Sequence, residues 1–343
     1  MTIESHQVDF DRLTGYLEER IPGFQGPVTA EKFAGGQSNP TFLLRAQSGS
    51  YVLRRQPPGE LLKSAHAVDR EFRVLTALAN TDVPVARAYH LCEERDVIGT
   101  MFYVMSYEQG RIFWNPALPE IHREQRTAFY DAILGTMAAL HEVDVGKVGL
   151  ADYGRAGNYF QRQISLWTKQ YRAAETERLE AMEALIEWLP ANCPTEEIRP
   201  ALVHGDFRID NLIFDQHTCR VRALLDWELS TLGDPLADLA YFCMCLRLPS
   251  DGPITGLHGK IRSDLGVPEE EALVARYCEL RGIPAISNWH FYLAMSFFRL
   301  AAIAQGVKMR ALNGNASHAR ALEVGAMTGR LAEMAACLIE QEA

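Results

Sequence analysis

Residues 202–211 read Leu-Val-His-Gly-Asp-Phe-Arg-Ile-Asp-Asn. An apolar run stops at Val203, and His204, Asp206, Arg208, Asp210 and Asn211 then follow closely, with a single glycine among them. A strand end followed by a tight loop presents polar side chains together at one place. Asp206 and Asn211 are five apart, and a second apolar run, Arg-Ala-Leu-Leu-Asp at 222–226, ends on Asp226. Hard oxygen donors at two neighbouring strand ends suit Mg2+, which takes one or two protein groups and completes its shell with phosphate and water oxygens. A carboxylate left off the metal can accept a proton from a hydroxyl. Metal and base are the two requirements of phosphoryl transfer.

Working outward, the 343 residues suffice for one bilobal domain or two modest ones, and a 48% hydrophobic content is that of a folded globular enzyme. The net charge of −10 disfavours nucleic acid and anionic membrane as partners. No apolar run approaches the roughly 18–20 residues of a membrane span. The first residues, MTIESHQVDFDRL, lack the basic and apolar regions of a secretory signal. Seven scattered cysteines form no Cys-x-x-Cys pair, so neither a disulfide framework nor a zinc knuckle is expected, and a reduced, cytoplasmic setting fits.

Short β-branched or aromatic runs at 28–34, 41–47, 51–56, 86–93 and 101–108 predict a meander of strands. Between them, 64–80 has helical spacing, with Val68, Phe72, Leu75 and Leu78 on one face and Ser64 as N-cap. After Gly110 the pattern turns to long amphipathic helices at 123–143 and 158–189, broken at 190–200. Strands resume at 201–204, 212–215 and 222–226, and helices follow from 235, including 268–281, 289–310 and 317–340. His141 closes a helix, where a partial positive charge suits the C-terminal dipole. The recurrent aromatics Trp167, Tyr171, Trp188, Trp289, Phe291 and Phe297 read mainly as core.

The series His204-Gly205-Asp206 to Asn211, followed by Asp226-Trp227-Glu228, resembles the aminoglycoside phosphotransferase and choline kinase branch of the protein-kinase-like superfamily. The resemblance implies an α+β, bilobal protein-kinase-like fold: an N-lobe of antiparallel sheet plus helix and a larger, mainly helical C-lobe. Residues 1–108 would be the nucleotide-binding lobe and 109–343 the catalytic and substrate-binding lobe. ATP and Mg2+ are the implied cofactors, Asp206 the catalytic base, and Asn211 and Asp226 the metal ligands. Arg208 is assigned to the γ-phosphate or the substrate, with pairing inside the loop as the alternative. Ala34-Gly35-Gly36-Gln37-Ser38-Asn39 stands where the family has its phosphate-covering loop. Tyr51-Val52-Leu53-Arg54-Arg55 matches the strand that ends in a phosphate-pairing cation. Arg54 aligns with that cation, and Arg55, one register away, points to the opposite face. Glu71 matches the glutamate that pairs with it. Residues 104–110 resemble the interlobe hinge, with Met105 as gatekeeper and the Ser106 C=O and Glu108 N–H on the adenine edge. In Gly233-Asp234-Pro235-Leu236-Ala237-Asp238, Asp238 would brace the catalytic loop.

A narrower resemblance rests on GGQSNPTFLL (35–44), YVLRRQPPGELLKSAHAVDREFRVL (51–75) and LLDWELSTLGDPLADLAYF (224–242). These strings resemble the kinase-like domains found with acyl-CoA dehydrogenases, which implies a 4-hydroxyacyl-CoA as the hydroxylated small-molecule acceptor. Arg12, Arg262, Arg299, Lys308 and Arg310 are candidates for its phosphates. The alternatives are an aminoglycoside-, choline- or homoserine-type kinase, and a nucleotide-binding pseudokinase without turnover.

Overall fold

The computed structural model describes residues 9–33, 39–57, 67–155, 157–195, 199–314 and 320–340. By its contacts the chain divides into two units. The first comprises Met1–Arg111 with Ile213–Gln216 and Arg222–Glu228; the second comprises Ile112–Leu212, His217–Val221 and Leu229–Ala343.

The first unit opens with α1 (Phe10–Arg20), which the strand-rich reading of this region did not foresee. Asp9 caps it by accepting from the Arg12 N–H at 2.9 Å. Leu13 and Leu17, one turn apart, are both fully buried. Five strands follow: β1 (Thr29–Lys32), β2 (Thr41–Ala46), β3 (Gly49–Arg55), β4 (Ala88–Cys92) and β5 (Phe102–Ser106), with α2 (Val68–Leu78) inserted after β3 and a short α3 (Arg95–Ile98) after β4. They form one antiparallel sheet in the order β1-β2-β3-β5-β4. Side chains alternate across a strand, so each face has its own task. Leu44, Leu53, Phe102 and Val104 pack with Leu13, Leu17, Ile21 and Phe24 into a hydrophobic core. On the other face, Val52 lies opposite Met105 and Arg54 opposite Tyr103. The predicted N-cap Ser64 falls outside the described residues; Ala67 stands at the N-cap of α2, which buries Val68, Glu71, Val74, Leu75 and Leu78.

The second unit is mainly helical. It contains α4 (Arg126–Glu142), α5 (Tyr159–Ala174), α6 (Glu180–Ala191), α7 (Leu236–Arg247), α8 (Arg262–Leu265), α9 (Glu270–Arg281), α10 (Trp289–Leu312) and α11 (Ala321–Glu340). The helix expected to break at residue 190 carries Pro190 in its last turn and ends one residue later; a proline there forfeits one backbone bond and no more of the ladder. α10 packs along α11 and against α5 and α7, and buries Phe291, Phe297 and Phe298. Strand β6 (Ala201–Val203) pairs antiparallel with β9 (Thr231–Gly233), a strand too short to show a pattern in the sequence. Between them β7 (Leu212–Phe214) pairs with β8 (Val221–Leu224). Phe214 also bridges Arg111, within the first unit.

Among the described residues no helix is long and apolar enough to cross a membrane. All seven cysteines are free, including Cys243 and Cys245, both buried in α7.

Candidate active site

In the first unit, strand alternation separates the two candidate arginines. Arg55 points to the core side, its guanidinium 5.4 Å from the centroid of the Phe42 ring. Arg54 points to the other face, where Nε lies 2.8 Å from Glu71 Oε2 and Nη2 donates to Asp226 Oδ1 at 2.6 Å. Glu228 Oε2 stands 3.9 Å from the same guanidinium. Glu71 is 1% exposed and has two further donors: Asn39 Nδ2 at 2.9 Å and the Tyr103 hydroxyl at 3.1 Å. A carboxylate with only donors around it is held as an acceptor. Burial raises the Glu71 carboxyl, with Arg54 acting in the opposite sense. Burial also works against the Arg54 cation, but Glu71 and then Asp226 outweigh it and hold the guanidinium protonated.

Asp226 adopts a left-handed backbone, φ 64°, which is uncommon outside glycine but best tolerated by Asp and Asn. The next residue, Trp227, is 2% exposed and anchors the turn by donating from Nε1 to the Leu224 carbonyl. The Asp226 side chain keeps a third of its surface open. Of the predicted phosphate loop, Ala34, Gly35, Gly36, Gln37 and Ser38 lie outside the described residues, and Asn39 is fully buried against Glu71. At the hinge, Met105 is buried on the Arg54 face. The Ser106 N–H donates to the Arg87 carbonyl at 2.9 Å, while its hydroxyl accepts from the Arg87 N–H and donates to Glu108 Oε1 at 2.6 Å. Glu108 Oε2 in turn faces Arg222 at 3.3 Å.

The second cluster belongs to the helical unit. β6 ends at Val203, and Gly205 turns the chain with φ +82°. A Cβ at Gly205 would stand 2.6 Å from the Leu229 carbonyl oxygen, so the turn requires glycine. Asp238 braces the turn: its carboxylate accepts from the N–H groups of His204 at 2.6 Å and Gly205 at 2.8 Å. It also meets His141 Nε2 at 3.1 Å, and His141 Nδ1 meets the Tyr277 hydroxyl at 2.7 Å. An anionic Asp238 puts the imidazole proton on Nε2, so Nδ1 accepts from Tyr277. Burial lowers the His141 pKa; the residue expected to be a helix-end cation is a buried, neutral hydrogen-bond relay. His204 Nδ1 accepts from the Asp206 N–H at 3.2 Å, which assigns its proton to Nε2.

Asn211 Nδ2 donates to the Asp206 carbonyl at 2.8 Å and to its carboxylate Oδ2 at 3.1 Å, across the short turn Ile209–Asn211. Arg208 donates to Asp210 Oδ2 at 2.6 Å and lies 3.7 Å from Asp206 Oδ1. Asp206, Arg208 and Asn211 are therefore one bonded group. Asn39, Arg54, Glu71 and Asp226 are another.

Four of the five proposed CoA-phosphate cations have partners of their own. Arg12 pairs with Asp96, Lys308 with Glu177, Arg262 reaches the Pro268 carbonyl, and Arg299 the Gly205 carbonyl. Tyr103 and Arg299 were not foreseen in these places. Tyr103 was discoverable, since it lies two residues before Met105 and thus on the Arg54 face; Arg299, 94 residues from its partner, carries no local signal. A cavity of about 180 Å³ lined by Asn158, Tyr159, Cys193 and Asp234 lies at the Gly233 end of the β6–β9 ladder, away from the loop that leaves Val203.

Among the described residues no group of three or more His, Cys, Asp or Glu side chains could hold a metal ion. Mg2+ asks for less than such a group, being commonly held by one or two protein oxygens plus phosphate and water. The Asp226 carboxylate and the Asn211 carboxamide are hard oxygen donors of that type.

A model of the phosphotransferase enzyme family matches residues 29–282. Acyl-CoA dehydrogenase family member 10 of Mus musculus is 49% identical over 327 residues; the match takes in 95% of this chain but only 30% of that protein. A crystal structure from Ralstonia eutropha, provisionally named an aminoglycoside phosphotransferase, is 44% identical, with a TM-score of 0.89 and coverage of 97% of this chain and 98% of that one. A thermostable mutant of aminoglycoside phosphotransferase APH(4)-Ia, solved with AMP-PNP and hygromycin B, shares the fold at 16% identity, with a TM-score of 0.61 and coverage of 95% and 98%. The α+β kinase-like fold is thereby established, and the chain belongs to the phosphotransferase enzyme family.

Proposed function

We propose that this phosphotransferase transfers the γ-phosphoryl group of ATP to the hydroxyl of a small molecule, with Mg2+ as cofactor. Asp206 orients the acceptor hydroxyl and takes its proton. The observation that carries the reading is the Asp206–Asn211 pair: Asn211 Nδ2 grips both the backbone and the carboxylate of Asp206. That bond ties the Asp206 side chain to its own turn, whatever the orientation of the turn, and leaves the Asn211 amide oxygen as the atom for a cation. Asn211 and Asp226 are assigned to Mg2+, which when bound neutralises charge on the phosphate oxygens. Arg54, aligned by Glu71, is assigned to the phosphates, with the Gly35, Gly36, Gln37, Ser38 and Asn39 segment covering them. Met105, Ser106 and Glu108 are assigned to the adenine. Arg208 tethers Asp210 beside Asp206 and takes a γ-phosphate oxygen as its second role. The domain roles follow: 1–108 for nucleotide, 109–343 for catalysis and acceptor. The neighbour solved with AMP-PNP supports nucleotide use.

A 4-hydroxyacyl-CoA is the proposed acceptor, on the likeness to a relative named for acyl-CoA dehydrogenation. A polycationic aminoglycoside is less well served, because Arg208 offsets the negative charge of Asp206 and Asp210. The test is ADP release across a panel of 4-hydroxyacyl-CoA, a kanamycin-type sugar, choline and homoserine, repeated with Asp206→Asn. Turnover on the thioester, lowered ~10²–10⁴-fold by the substitution while ATP still binds, is expected. ATP binding without turnover on any acceptor would make the chain a pseudokinase and overturn the reading.

A further inference from the structure

The peptide group that joins Gly205 to Asp206 is held at both of its polar atoms. Its N–H donates to His204 Nδ1 at 3.2 Å, a long bond. Its carbonyl accepts from Arg299 Nη2 at 2.5 Å, a short, charge-assisted bond. Arg299 comes from α10, and its guanidinium is stacked between two rings from other helices: Trp167 of α5, 5.4 Å to the centroid, and Tyr241 of α7, 5.0 Å. As a means of stabilising a helix bundle this is poor. The residue is half-buried, and its Nε, itself shut off from solvent, has no hydrogen-bond partner among the described residues. The arrangement makes sense by what the one well-made bond controls.

Gly205 has no Cβ and a positive φ. The peptide plane that follows such a residue rotates more readily than elsewhere in the loop. Asp238 restrains the N–H groups of His204 and Gly205, on the preceding side. It has no hold on the Gly205 carbonyl. Rotation of that plane would swing the Asp206 backbone and with it the carboxylate.

We propose that Arg299 is a positioning residue for the phosphoryl transfer reaction: clamped by Trp167 and Tyr241, it fixes the Gly205–Asp206 peptide plane and thereby aims the Asp206 carboxylate. The inference rests on the role given to Asp206 above. A misdirected base costs rate without costing nucleotide affinity, and a displacement of about 1 Å is enough for ~10²-fold.

Two variants test it. Arg299→Met keeps an aliphatic stem between the rings and removes the donor; Arg299→Lys keeps a charged donor. Arg299→Met is expected to lower kcat by ~10–100-fold with the KM for ATP within about threefold, and Arg299→Lys to recover part of kcat. Hydrogen–deuterium exchange gives a readout independent of turnover: in Arg299→Met the amides of residues 204–208 exchange faster, while those of α5, α7 and α10 keep their protection. Unchanged exchange in the loop refutes the positioning role, as does a kcat equal to wild type. Faster exchange throughout the three helices, with kcat and KM degraded together, makes Arg299 a packing residue and refutes it as well. A wild-type chain that transfers no phosphate defeats the reading of Asp206 instead, and the exchange measurement alone then decides whether Arg299 holds the loop.

Discussion

Asp234→Asn is expected to stabilise the helical unit at neutral and alkaline pH. Asp234 is 9% exposed, and its carboxylate accepts from the Leu236 N–H at 2.8 Å, in the first turn of α7. Burial raises its pKa from 3.8 to about 6. The folded protein therefore holds this proton more tightly than the unfolded chain does. Stability falls as pH rises through that window, and the penalty is complete above the folded value. At ~1.4 kcal/mol per pH unit the rise corresponds to roughly 3 kcal/mol. The dipole of α7 favours the anion, but by only about 0.3–1 kcal/mol, so burial wins. Asparagine keeps an oxygen for Leu236 and has no charge to lose. The assay is denaturant unfolding of both proteins at about pH 4 and about pH 8. The variant should come within about 0.5–1 kcal/mol of wild type at the lower value and exceed it by about 2–3 kcal/mol at the higher. The difference between the two proteins is the quantity to read, because His141, whose pKa is lowered by burial, makes both lose stability as pH falls below its ordinary 6.5. A difference that does not change with pH would refute the argument.

Gly205→Ala forces a side chain into a left-handed backbone with a Cβ 2.6 Å from the Leu229 carbonyl oxygen; a loss of ~2 kcal/mol or more in unfolding free energy and a collapse of ADP release are expected. Asp238→Ala strands the His204 and Gly205 N–H groups and the His141 ring, for a loss of roughly 3–6 kcal/mol measured by denaturant unfolding. Burial tends to raise the Asp238 pKa, but bonds from His141 and His204 win and hold it below 3.8. Its stabilisation is thus complete above that value and lost as pH falls through the folded one, and the alanine variant should show a shallower acid limb. Asn39→Ala removes a donor from buried Glu71 and should cost ~1–2 kcal/mol, with weaker ATP binding by calorimetry; unchanged stability would mean that water replaces the amide.

The sequence spoke most clearly where local chemistry decides structure. Strands β2 and β3 were readable because β-branched and aromatic residues sit between Gly, Ser and Asn turns. Period-two alternation then makes Arg54 and Arg55 opposites, and β3 turns Arg54 toward Glu71. α1 has a short apolar stripe of Phe10, Leu13, Tyr16 and Leu17 set among charged residues, and its place is secured by packing with Leu53, Phe102 and Val104, which are distant in sequence. β9 has three residues, each defined by a partner in β6, and no pattern of its own. Within the site, Asp206 and Asn211 were visible because a turn forces residues at that spacing together. His141 and Arg299 were not, because they reach the same loop from other helices.

The membership of the first unit has a practical consequence. It borrows Ile213–Gln216 and Arg222–Glu228 from far along the chain, and that second loan brings Asp226, the partner of Arg54 Nη2. A polypeptide cut after Arg111 would carry Arg54 and Glu71 but lack Asp226, Glu228 and the strand that bridges Arg111. Expressing the two halves as separate genes would not divide the protein at a natural seam. Fragment complementation would have to return a stretch of backbone from one piece to the other before Arg54 recovered its counter-ion.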